Sequence, residues 1–319
     1  MPTELPGSAD RYPPADLAGV RTRPLGGRAH LVTRAHLAGL AAPEATARAL
    51  LDSLPDVLQA RTLRAVAAEV VASRRRGRPV IAACGGHVLK TGCGPILVDL
   101  MARGLVTGLA LNGGAAIHDA ELALVGGTSE DVASTLPDGS FGTAEETGAL
   151  FAEAAAHGAT GVGLGRALGE RLASAPHAAD SLLATAARLG LPATVHVQPG
   201  ADTVHLHPRA DGAAIGAATF VDFRRLVRVV ADLEGGVWCN VGSAVALPEV
   251  FLKALTAARN LGHAVADFAA ANFDMLRHYR PRVNVVERPP RRGYDCTGPH
   301  EILLPLFRCA VLARWESTP

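Results

Sequence analysis

The chain has 319 residues, is 49% hydrophobic and carries a formal net charge of +1. That is enough apolar material for one large α/β core, and the balanced charge excludes a strongly basic nucleic-acid or anionic-membrane surface. No apolar run reaches the roughly 18–20 residues of a membrane span, and Cys84, Cys93, Cys239, Cys296 and Cys309 show no C-x-x-C spacing, so a reduced, cytoplasmic protein without a disulfide framework or zinc cage is expected.

Residues 1–28 are rich in Pro, Gly and Arg and are expected to form an irregular arm, with a single α/β domain over 29–319. Helical spacing predicts a helix over 43–76, followed by a short buried strand over 78–84 that runs into Gly85-Gly86. A helix over 94–105 begins at Pro95, where a first-turn proline belongs. A strand follows over 106–111, then helices over 115–134 and 143–156. "ATGVGLGRALG" is a loop or short helix. A helix over 179–189, a strand over 192–197 and a helix over 219–232 come next. A strand and glycine turn occupy 235–243, and a helix 247–262. Strands over 264–273 and 282–288 and a closing helix over 299–313 complete the chain. Strands alternating with helices predict a Rossmann-like parallel sheet with helices on both faces.

Ligands of such sheets collect beyond the carboxyl ends of the strands, at glycine turns and helix N-termini. The unusual stretches fall there: "CGGHVLKTGCG", "NGGAAIHDAE", "HVQPGADTVHLHPRADGAAIG", "NVGSA" and "AANFD". A dinucleotide or phosphate suits that edge, although G-G-H…G-C-G lacks the G-x-G-x-x-G spacing. Asp119 and Glu121 also suit a first helical turn for reasons of helix dipole alone. His205 and His207 alternate along one strand face but have no third ligand, so no metal is expected. Lys90 and Lys253 are the only lysines; Lys253 pairs with Glu249 at helical spacing, while Lys90 lies in a glycine-rich strand-end loop.

Residues 85–119, "GGHVLKTGCGPILVDLMARGLVTGLALNGGAAIHD", resemble the cofactor-binding region of deoxyhypusine synthases. Gly92 falls on that family's loop glycine, Asn112 and Gly113-Gly114 on its Thr-Ala-Gly turn, and His118-Asp119 on its acidic pair. "ADGAAIG" (210–216), "GSAVALPEVFLKAL" (242–255) and "AANFD" (270–274) resemble the family's later turns in the same order. The resemblance implies a Rossmann-like fold, NAD across the sheet edge, a homotetramer with sites at dimer interfaces, and oxidation of spermidine to an imine. It places NAD against Gly86, His87, Thr91, Gly92, Asn112, Gly113, Gly114, Asp119, Asp211, Gly212, Gly242, Ser243, Asn272 and Asp274.

The departures are informative. No lysine follows residue 253, where the family has its catalytic one. Phe251-Leu252 replace a His-His pair, Gly86-His87 replace Ser-Asn, and 200–209 is inserted. The chain also resembles NAD-dependent ornithine cyclodeaminases of the lysine-oxoglutarate reductase/saccharopine dehydrogenase-like (LOR/SDH) type. The resulting expectation is an NAD-dependent enzyme that acts on a small amine, polyamine or basic amino acid through an imine, and not a deoxyhypusine synthase. Its catalytic candidates are His118, Glu121, His205, His207 and Lys90, with Asp202, Asp211 or Asp274 holding an ammonium and Lys253 open as a Schiff-base residue. His300-Glu301 are candidates to complete the site across an interface. A non-redox hydrolase or lyase with a His-rich pocket, and a non-catalytic nucleotide-binding subunit, remain the alternatives.

Overall fold

The computed structural model describes residues 15, 17–21, 24 and 31–317. The chain divides into two compact units, Met1–Leu37 and Ala38–Pro319. Most of the arm expected over 1–28 lies outside the described residues. Within the first unit, Arg34–His36 form a 3-10 turn closed by the Thr33 N–H donating to His36 Nδ1 at 3.1 Å.

The second unit carries a six-stranded sheet of order β3-β2-β1-β4-β5-β6, all strands parallel. The strands are β1 (Val80–Cys84), β2 (Gly108–Asn112), β3 (Ala193–His196), β4 (Val237–Val241), β5 (Ala269–Asp274) and β6 (Arg292–Thr297). The principal helices are α1 (Ala47–Ser53), α2 (Leu58–Arg75), α3 (Gly86–Lys90), α4 (Gly94–Ala102), α5 (Gly113–Val125), α6 (Glu145–His157), α7 (Leu164–Leu172), α8 (Leu182–Arg188), α9 (Gly212–Ala231), α10 (Ala246–Asn260) and α11 (His300–Glu316). The expected Rossmann-like α/β architecture is therefore present.

Strands β1–β5 are mostly apolar and buried because both sheet faces are covered there. Val80, Ala82 and Cys84 of β1 join the core cluster that includes Val66, Leu97, Ala116 and Phe307. Ile81 and Ala83 join the opposite one, with Leu226, Phe251 and Leu255. Trp238 stacks on Phe251 at 4.2 Å between ring centroids, so Phe251 is a core residue of that second cluster.

Several elements depart from the sequence expectation, three of them for a clear local reason. The helix over 43–76 is two helices, because Leu54-Pro55 interrupt it: proline lacks the N–H that would continue the ladder. Arg64 compensates the break by donating to the carbonyls of Leu51 at 3.1 Å and Leu54 at 3.3 Å. The strand expected over 282–288 is a π-helical turn, Arg282–Glu287, and the sixth strand is instead the polar, half-exposed β6. Helix α9 begins at Gly212, seven positions before the expected 219, because Asp211 caps it by accepting from Ala213 N at 2.8 Å.

Candidate active site

Helix α5 organises the strand ends of β1–β3. Asn112 starts it as a side-chain cap, accepting from Ala115 N at 2.8 Å. Gly126, in the left-handed region at φ 71°, ends it and turns the chain back along the helix. His118 and Glu121, one turn apart, line a cavity of about 250 Å³ together with Lys90, Gly114, Asp202 and His207. Two segments form its walls. Glu130 accepts from Gly142 N at 2.9 Å in one; in the other, the His207 side chain is only 6% exposed, with Nε2 3.4 Å from Glu145 Oε1.

Within the cavity, His118 Nδ1 lies 2.7 Å from the Thr128 hydroxyl, and that hydroxyl donates to Glu121 Oε2. Burial pulls the Glu121 carboxyl up, but the neighbouring His118 side chain and the hydrogen bond from Thr128 outweigh it and hold it below its ordinary value. Thr128 was not among the sequence candidates. The only signal for it is the Gly126-Gly127 pair before it, which ends a helix and folds the next residues back onto it.

Asp119 faces the other way. It is fully buried and accepts from Ser181 Oγ at 2.7 Å, Leu182 N at 2.7 Å and Leu183 N at 3.0 Å. Burial pushes its carboxyl up to about 6 against those three hydrogen bonds. The acidic-pair reading is corrected here: Asp119 caps the N-terminus of α8 and leaves no atom for a cofactor.

Asp202 occupies the place expected of a ligand at Gly113. A Cβ on Gly113 would lie 2.0 Å from Asp202 Oδ2, which itself accepts from Gln198 N at 2.8 Å. Burial raises the Asp202 carboxyl, opposed by that N–H and by the charge of His205. Gly113 therefore does not offer bare backbone, whereas Gly114 has only Asn112 Oδ1, at 3.9 Å, near its open side.

The pairing of His205 with His207 on one strand face is also corrected. Thr203–Leu206 form a 3-10 turn, which sends the two rings to different places. His207 reaches the cavity, while His205 lies in an apolar chamber with Phe151, Leu164 and Ile215, and neither of its ring nitrogens has a hydrogen-bond partner among the described residues. Among the described residues no group of three or more His, Cys, Asp or Glu side chains is placed to hold a metal ion.

The ends of β4–β6 are built differently. Gly85 presses on the β4 turn, since a Cβ there would meet Gly242 O at 2.0 Å. Asn240 Nδ2 donates to Asn272 Oδ1 at 2.8 Å and to Ser243 O at 3.0 Å, and Asn272 Nδ2 donates to Asp295 Oδ1 at 3.1 Å. Ser243 Oγ accepts from Leu247 N at 3.2 Å, and Asp274 Oδ1 accepts from Met275 N at 2.8 Å. His87 meets the buried His300 edge-on at 5.5 Å; His300 Nε2 lies 3.2 Å from Phe273 O, while its Nδ1 and Asn240 Oδ1 are buried without partners among the described residues. Burial lowers His300 below its ordinary value.

The remaining candidates do not line the cavity. Thr91 Oγ1 donates to His87 O at 3.0 Å, and Gly92 is left-handed at φ 73° with open space beside it. Gly86 touches the site from below, a Cβ there meeting His118 Cδ2 at 3.0 Å. Asp211 and Gly212 form the exposed start of α9. Lys253 is a surface residue of α10, 59% exposed and paired with Glu249.

No family model matches the chain, and no curated protein sequence matches it. Solved structures do match its fold. The ternary complex of AgrE with ornithine and NAD+ aligns with a TM-score of 0.55 at 14% identity, covering 83% of this chain and 35% of that one. A protein of the LOR/SDH type from Methanococcus maripaludis S2 aligns with a TM-score of 0.52 at 14% identity, covering 81% of this chain and 71% of that one. A deoxyhypusine synthase-like chain from Entamoeba histolytica aligns with a TM-score of 0.48 at 11% identity, covering 85% and 94%. The chain thus spans about a third of the AgrE chain.

Proposed function

We propose, starting from the sheet this chain shares with AgrE and the LOR/SDH type, that it is an NAD-dependent enzyme acting on a small amine, polyamine or basic amino acid through an imine. The observation that carries this reading is the cavity at the end of β2, where Lys90, His118, Glu121, Asp202 and His207 converge over the bare backbone of Gly114. A solved structure with the same fold holds ornithine and NAD+ together.

The residues at the β1/β4 junction fit a dinucleotide in part. Buried His300 Nδ1 and Asn240 Oδ1 lack partners there among the described residues, and Gly92 and Gly114 present open backbone. His87, Gly242 and Ser243 would hold the group at that junction. Bound NAD would supply the hydride acceptor that turns a carbon–nitrogen single bond into an imine. The chain's own residues supply the rest. His118 takes the proton from the substrate ammonium, Glu121 and Asp202 favour a cation, and Lys90 at the rim attracts a carboxylate if the substrate has one. The walls over 129–148 and 201–207 limit the access of water to that reaction. A homo-oligomer, as the deoxyhypusine synthase resemblance implies, belongs to the same proposal.

Purified protein should bind NAD+ or NADH with micromolar affinity, read as NADH fluorescence or a thermal shift. Absence of binding by either nucleotide rejects the redox reading. One observation favours a second reading without redox chemistry: Asp202 covers Gly113, where a phosphate would approach the helix N-terminus. Turnover of an amine with no nucleotide present would select it.

A further inference from the structure

We propose that Thr128 is a positioning residue that fixes His118 in the tautomer protonated at Nδ1, so that Nε2 is the proton acceptor facing the cavity. This inference rests on the reading of that cavity as the catalytic site.

Thr128 Oγ1 touches both His118 Nδ1, at 2.7 Å, and Glu121 Oε2. A carboxylate only accepts, and a hydroxyl has one hydrogen. That hydrogen goes to Glu121, so a lone pair of Thr128 faces His118, and Nδ1 must carry the imidazole's hydrogen. A neutral imidazole has only one N–H, which leaves the lone pair on Nε2. Nε2 has no protein partner among the described residues, and the ring lines the cavity.

A second observation shows that the arrangement is held in place. Ser129, next to Thr128, adopts φ 71°, a left-handed conformation that residues with side chains rarely take. The Ser129 backbone N–H is one of the groups that favour the charged Glu121 carboxylate. Behind it, Gly126 is packed against His177, whose Nε2 would lie 3.0 Å from an added Cβ. The segment 126–129 is thus folded back and pinned so that one hydroxyl bridges two groups on the same face of α5.

The chemistry follows directly. A substrate ammonium gives its proton to His118 Nε2; the N–H bond breaks, its electron pair stays on the substrate nitrogen, and a new N–H bond forms on the ring. The positive charge so created lies 3.7 Å, measured at Nδ1, from Glu121 Oε2. Thr128 moves no net proton in this step and serves to orient the ring.

The test uses full-length protein labelled with 15N-histidine. Long-range 15N–1H correlation at pH 8 should show His118 as the Nδ1–H tautomer in the wild type and in Thr128→Ser. Thr128→Val, nearly isosteric, should lose that preference. An Nε2–H tautomer in the wild type overturns the proposal, as does an unchanged tautomer in Thr128→Val with a wild-type melting curve. Should Thr128→Val fold poorly, the wild-type and Thr128→Ser spectra decide alone. Once a substrate is in hand, Thr128→Val should lower kcat about tenfold or more while leaving KM within about threefold, with Thr128→Ser restoring most of it. The spectra need no substrate, so failure to bind NAD would reject the functional reading and leave the tautomer result standing.

Discussion

The ends of β1–β3 and β4–β6 form one continuous sheet edge, yet they treat polar side chains in opposite ways. At β4–β6, Asn240, Asn272, Asp295 and Arg277 are linked in a chain of hydrogen bonds, which leaves Asn240 Oδ1 as the one atom of those four side chains buried without a partner among the described residues. At β1–β3, His118, Glu121, Lys90 and His207 leave polar atoms facing a cavity. A polar residue at a strand end is therefore no evidence of chemistry by itself. What separates the two regions is whether its partners lie inside the protein. The contrast recurs between consecutive residues of α5, where His118 opens to the cavity and Asp119 is consumed by the start of α8.

The sharpest way to break this comparison is to remove one residue from each side. His118→Ala should lower kcat by about 10²–10⁴, the usual worth of a general base, and leave the melting temperature nearly unchanged because the side chain is partly exposed. Asp119→Ala should do the reverse. It deletes a fully buried acceptor of three hydrogen bonds and should cost about 3 kcal/mol in urea unfolding. If His118→Ala unfolds the protein while Asp119→Ala only slows it, the two faces of α5 have been assigned the wrong way round.

The same contrast explains what could be read from sequence. Five of the six strands were legible because apolar runs bounded by glycine or proline can only be buried strands at that length. β6 was not, because its residues alternate without an apolar face and include Gly293, which is pressed against Val286 O. Of the catalytic candidates, Lys90, His118, Glu121 and His207 share one cavity because the strand-end rule brings distant loops together. His205 and Asp119 were misread because periodicity does not say which way a loop turns or which helix a carboxylate caps. Thr128 was missed because a single threonine after two glycines carries no spacing signal; only the reversal at Gly126 brings it back to His118.

A milder test concerns a buried carboxylate away from the cavity. Asp222 accepts from Gly165 N at 2.7 Å and Val195 N at 2.8 Å through the same oxygen, and burial pushes its carboxyl up to about 7. A folded-state value above the unfolded one, near 3.9, means that this group favours folding at low pH and that its contribution is lost as pH rises through about 7. Asp222→Asn can keep both hydrogen bonds through its amide oxygen but does not titrate. Denaturation midpoints should therefore fall less between pH 5 and pH 8 in the variant than in the wild type. An equal fall in the two proteins would mean that Asp222 is charged throughout and that burial is not what sets its titration.

The smallest expected effect is the most discriminating for the assignment of halves. Lys253 is one of only two lysines and the only one available to the β4–β6 side for a Schiff base. Its side chain is 59% exposed on α10 and its partner is Glu249, which also accepts from Asn284 Nδ2 at 2.8 Å. An exposed ion pair of this kind contributes about 0.3–0.5 kcal/mol or less. Lys253→Met should thus leave turnover unchanged and stability within about 0.5 kcal/mol of wild type. Lys90→Met, at the cavity rim, should instead raise KM for a substrate bearing a carboxylate, because a cation that only holds substrate contributes to binding in the ground and transition states alike. Loss of turnover in Lys253→Met with Lys90→Met unaffected would place the chemistry beyond β4, on the side of the sheet edge that the Asn240–Asn272–Asp295 hydrogen bonds tie together.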